Sequence, residues 1–108
     1  MNHTISKIQS LFPNRKVCSI YNIRYTESDI VVIEDWTFFQ YSTKYTFNAI
    51  VIITSLEDYI DWRRMLRSYN TQSTEIYIMF VNLTNNDKYM HVKNLIEHDK
   101  LSGIKFLK

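Results

Sequence analysis

The chain is poor in the residues that usually mark a site. It holds one glycine (Gly103), one proline (Pro13) and one cysteine (Cys18) in 108 residues. A single glycine excludes the glycine-rich loops that cradle phosphates, and so little Gly and Pro argues against a disordered or collagen-like chain. One cysteine excludes an intrachain disulfide and a cysteine-based zinc site. No charge of one sign dominates: the formal net charge is +2, which permits nucleic acid as a partner without pointing to it. No apolar run is long enough to span a bilayer and no N-terminal segment reads as a signal peptide, so no membrane is expected and the cytoplasm is the expected compartment. What is abundant is aromatic side chains, 15% of the chain, within an ordinary apolar content of 45%. That length and content suit a single domain over residues 1–108, burying roughly two-thirds of its unfolded surface.

The clearest local signal is a strand running into a helix. Ala49-Ile50-Val51-Ile52-Ile53 is an unbroken apolar run rich in β-branched residues. It lacks period-2 alternation, which predicts a strand buried on both faces, and it is too short for a buried helix. Ser55 then reads as a helix cap, with Asp58 three residues on completing a short version of the capping box. Glu57, Asp58 and Asp61 crowd the first turns and Arg63, Arg64 and Arg67 the last, an order that complements the helix dipole. Leu56, Tyr59, Ile60, Met65, Leu66 and Tyr69 make the expected apolar face, and Asn70 the expected stop.

The flanking chain fills in around this pair. Residues 3–12 predict a helix with Ile5, Ile8, Leu11 and Phe12 inward, stopped by Pro13. Val17–Tyr25 and Ile30–Ile33 predict strands joined by a turn at Thr26-Glu27-Ser28. Trp36–Tyr45 reads as an irregular hairpin connection. Its aromatics form either a covering cluster or a patch for a partner, since Trp and Tyr are enriched at interfaces. Glu75–Val81 predicts a strand, Lys88–His98 a helix with Tyr89, Val92, Leu95 and Ile96 inward and Lys93 paired with Glu97 on the solvent side. A short strand, Ile104–Leu107, follows the turn at Gly103. The order α-β-β-β-α-β-α-β predicts an α/β fold (α+β in character). The βαβ unit is parallel, the earlier strands are close enough for antiparallel hairpins, and the expected sheet is mixed with helices against it.

Several segments carry a resemblance. Ser28-Asp29-Ile30-Val31-Val32 has an Asp before an apolar strand. Thr54-Ser55 is followed by Asp58 and Trp62. Leu66 and Tyr69, Glu75-Ile76-Tyr77 and Ser102-Gly103-Ile104 continue the pattern. In this order the chain resembles the core of the PD-(D/E)XK nuclease superfamily. The resemblance implies a metal-binding Asp at Asp29, and an acid and a Lys two residues later on the third strand that hold Mg²⁺ and help generate the attacking water. Here those third-strand positions fall at Val51 and Ile53, and residues 46–54 hold neither an acid nor a Lys. The resemblance therefore implies a catalytically dead copy or the same fold used for binding.

Other candidate chemistry is sparse. His91 and His98 are seven residues apart, too far along one helix for one ion, and with His3 they make no metal set. Cys18 lies in an apolar strand with no adjoining positive group, the pattern of an inert thiol. Glu34-Asp35 reads as strand-end solvation, or as a cation site with Asp29. The expected binding residues are Arg63, Arg64, Arg67, Lys88, Lys93, Trp36 and Tyr41, against the plainer reading of a cationic helix end. They suit phosphates or an acidic partner, with the Lys-rich last segment adding to the patch if the helices flank one edge. No catalytic residue, metal or cofactor is assigned. The expected function is a small non-catalytic binding or accessory module for a protein partner. The alternatives are a nucleic-acid-binding protein using the Arg and Lys clusters, and a divergent metal nuclease using Asp29 with Glu34, Asp35 or Asp58. Enzyme activity is not expected, and self-association through an edge strand near Lys16–Tyr25 is open.

Overall fold

The structure, a computed structural model, describes residues 3–22, 29–35, 48–66, 74–81 and 90–107. They form α1 (His3–Leu11), β1 (Val17–Ser19), a 3-10 turn (Ile20–Asn22), β2 (Ile30–Ile33), β3 (Ala49–Thr54), α2 (Leu56–Leu66), β4 (Glu75–Phe80), α3 (Met90–Leu101) and β5 (Lys105–Leu107). The fold is α/β. The hairpin connection expected over Trp36–Tyr45 lies outside the described residues.

The sheet is not mixed. Its five strands are all parallel and follow chain order, β1-β2-β3-β4-β5. The antiparallel hairpins expected among the first three strands are corrected by the register. Val17 lies opposite Ile30, and the N–H groups of Asp29 and Ile30 both donate to the Lys16 carbonyl at 3.0 Å, so β2 begins beside the beginning of β1. The physical reason was in the pattern. β2 and β3 are buried along their whole length, as strands covered on both faces are, whereas antiparallel strands with one wet face alternate. The strand expected over Val17–Tyr25 stops at Ser19. There the Ser19 hydroxyl accepts from the Tyr21 N–H at 3.3 Å and the chain turns, burying Ile20.

A parallel sheet that steps always in one direction has a geometric consequence. Crossovers between parallel neighbours are almost always right-handed, so stepping the same way from β3 to β4 and from β4 to β5 puts α2 and α3 across the same face. That face holds Cys18, Val31, Ile33, Ile50, Ile52, Ile76 and Ile78, and against it pack Ile20, α2 through Tyr59, Trp62 and Leu66, and α3 through Val92 and Ile96. The opposite face, with Val17, Ile30, Val32, Val51, Tyr77 and Met79, takes α1 through Ile5, Ile8 and Phe12. Phe12 meets Tyr77 edge-on, ring centroids 5.1 Å apart. Each aliphatic side chain so buried contributes about 1.5–3 kcal/mol.

Helix faces follow the spacing, with two corrections. Leu11 is 46% exposed and Met65 40% exposed, so neither is core. On α2 the buried set is Tyr59, Trp62 and Leu66, at spacings of three and four, and Met65 falls off that arc. Ser55 does cap α2, its Oγ accepting from the Asp58 N–H at 3.1 Å. Gln9 ties α1 to the sheet. Its amide donates to the carbonyls of Phe12 and Arg15 at 3.0 and 2.6 Å and its Oε1 accepts from the Val17 N–H at 3.2 Å. Gly103 closes α3 with φ +102°, a conformation that L side chains resist. The N–H of Gly103 bonds Lys100 O and that of Ile104 bonds Asp99 O, a Schellman pair that drops the chain into β5.

Candidate functional site at the amino-terminal end of the sheet

α2 and α3 each return from the carboxyl end of one strand to the amino end of the next. Their last turns therefore meet at the amino-terminal end of the sheet, beside the starts of β4 and β5. At that meeting point Asp99 is 4% exposed. The Tyr59 hydroxyl donates to its Oδ2, and Arg63 Nε donates to both carboxylate oxygens, at 2.8 and 3.0 Å. His98 Nδ1 lies 3.5 Å from Oδ1. Burial first, and then the hydrogen bond to the Asp99 carboxylate, push the Tyr59 phenol far above its ordinary value, so it stays a donor. No buried side-chain N or O atom among the described residues lacks a partner.

A second charged group stands at the same end on the opposite face. Arg15 Nη1 donates to Glu75 Oε2 at 3.0 Å, and the Tyr77 hydroxyl donates to the same oxygen at 3.0 Å. The hydrogen bond from Arg15, then that from Tyr77, hold the Glu75 carboxyl below the usual carboxylate range, and the Glu75 hydrogen bond raises Arg15. Lys105 Nζ sits 5.3 Å from the centre of the Tyr77 ring. Between the helix ends and the two strand starts opens a cleft of about 380 Å³, walled by Leu66, Ile76 and Ile104, with Arg63, Thr74 and Asp99 among its polar groups.

Of the residues expected to bind a partner, Arg63 is in this cleft, its side chain only 16% exposed and engaged by Asp99. Arg64 is exposed in the same last turn. Lys93 is exposed but belongs to the first half of α3, toward the carboxyl end of the sheet, so it does not join Arg63 and Arg64. Lys100 and Lys105 lie at the Arg63 end instead, and Lys100 rather than Lys93 pairs with Glu97, at 3.1 Å. Arg67, Lys88, Trp36 and Tyr41 lie outside the described residues. Asp99 was missed. It continues the inward spacing Val92, Ile96, Asp99, but a carboxylate reads as the end of an apolar face. The one signal was on the other helix, where Arg63 follows Tyr59 by four residues and so shares its buried side.

The carboxyl-terminal end of the sheet holds another cleft, about 490 Å³, with Glu34, Asp35 and Asp58 in its lining beside Thr54, Ser55 and Trp62. Asp35 Oδ2 accepts from the Tyr21 hydroxyl. Asp29 is not part of it. It precedes β2, with its Oδ2 accepting from the Lys16 N–H at 3.2 Å, whereas Glu34 follows β2. At about 3.3 Å per strand residue the two are roughly 16 Å apart, too far to share an ion. Among the described residues no three His, Cys, Asp or Glu side chains are grouped to hold a metal. Val51 and Ile53 are buried, on the face toward α1.

These features define a small parallel α/β domain whose helix ends and strand starts enclose a charged cleft. Comparison with family models, with curated proteins and with solved structures returns no match. No described helix is long and apolar enough to cross a membrane.

Proposed function

We propose that the chain is a non-catalytic binding module that engages a protein partner with the amino-terminal end of its sheet. The observation that carries this reading is the composition of that end. Met65, 40% exposed, follows Arg64 in the last turn of α2, and Leu101, 90% exposed, ends α3. Large apolar side chains exposed on helix ends, with an arginine among them, are the make-up of a protein interface rather than of a phosphate track. The cations argue the same way. Arg15, Arg63 and Lys100 already have carboxylate partners in Glu75, Asp99 and Glu97. Each would have to give up that pairing, or share it, to neutralise a phosphate. A lone thiol and no disulfide suit the cytoplasm.

Nucleic-acid binding is the alternative, favoured by Arg64, Lys100 and Lys105 falling at one end. The degenerate nuclease reading keeps only Glu34, Asp35 and Asp58 near one another.

Photo-crosslinkers placed at Met65 and Leu101 test the proposal against one at Glu57 on the far end. In the native host, a discrete protein adduct is expected from the first two positions and not from Glu57. Adducts to nucleic acid instead, together with DNA or RNA binding that weakens steeply with salt, would replace the proposal by the alternative. Cleavage of DNA with Mg²⁺ or Mn²⁺, lost in Asp58→Ala, would replace it by the nuclease reading.

A further inference from the structure

We draw no further inference here: the strongest candidate, the cleft at the carboxyl-terminal end of the sheet where Glu34, Asp35 and Asp58 stand before the start of α2, is an acidic cluster beside a helix N-terminus, and no second observation among the described residues points to what it would hold.

Discussion

The two ends of the sheet are built from similar residues and behave differently. At the amino-terminal end carboxylates are interlocked with cations across elements: Arg15 of the α1–β1 connection with Glu75 of β4, and Arg63 of α2 with Asp99 of α3. At the carboxyl-terminal end Glu34, Asp35 and Asp58 share one cleft in front of the start of α2, with Glu57 in the same first helical turn. The sorting follows from topology. In a parallel sheet the described crossover helices α2 and α3 run back, so both start at one end and both finish at the other. A helix that places acids first and bases last, as α2 does to complement its dipole, delivers opposite charges to opposite ends of the molecule. The comparison teaches that the described ion pairs of the amino-terminal end join separate elements, while the start of α2 at the carboxyl-terminal end is held by its own cap and dipole.

The hardest blow to that contrast is Asp99→Ala. It leaves the Arg63 guanidinium and the Tyr59 hydroxyl without their shared acceptor, and breaking a buried pair costs about 3–5 kcal/mol. Urea unfolding at neutral pH measures it. A loss under about 1 kcal/mol would mean that the cluster fastens nothing. Tyr59→Phe removes one hydrogen bond to a charged group and is expected to cost about 1.5–3 kcal/mol. It also alters the alkaline limb of stability. The folded phenol is held above its ordinary value of 10.0, so the unfolded chain ionises first. The contribution of Tyr59 is thus complete below pH 10 and is lost as pH rises beyond it. Thermal melts across that range should show the wild-type fall blunted in Tyr59→Phe.

At the other end, Ser55→Ala removes the α2 cap and is expected to cost about 1 kcal/mol, less than the Asp99 change because only one local N–H loses its partner. Parity between the two losses, in the same urea assay, would erase the distinction between a fastened end and a local one. The smallest expected effect is Glu75→Gln. Its side chain is 48% exposed, and pairs this wet contribute about 0–1 kcal/mol. Because the folded carboxyl titrates below its ordinary value of 4.5, that contribution is present above this pH and is lost as pH falls below it. The acid limb of the wild type should therefore be slightly steeper than that of Glu75→Gln.

How much was legible follows from how far apart the interacting residues are. The run Ala49–Ile53 declared burial on both faces, and Ser55 with Asp58 declared the start of α2, because both are signals within a few residues. The parallel direction of β1, β2 and β3 was not legible from proximity, which favoured hairpins. Continuous burial of β2 was the better guide, since only a strand covered on both sides can be apolar at every position. Arg63 was legible as a functional candidate but not as a residue turned inward. Its partner is 36 residues away on a helix whose apolar spacing Asp99 interrupts. Leu11 and Met65 read as core because they are apolar and near the right spacing, and both are exposed. Met65 falls off the arc of Tyr59, Trp62 and Leu66, and Leu11 is the exposed last residue of α1.

The sequence by itself determined the helix and strand character of the segments around β3 and α2, the all-buried central strand, the cap and charge order of α2 and the turn at Gly103, since each depends on backbone preference or on neighbours within a turn. Only the tertiary structure decided that the strands run parallel in chain order, that both crossover helices share a face, and that Arg63 meets Asp99 over a cleft. Those outcomes depend on how separate surfaces are covered at once, and the free energy of covering them belongs to the assembled layers rather than to any one segment.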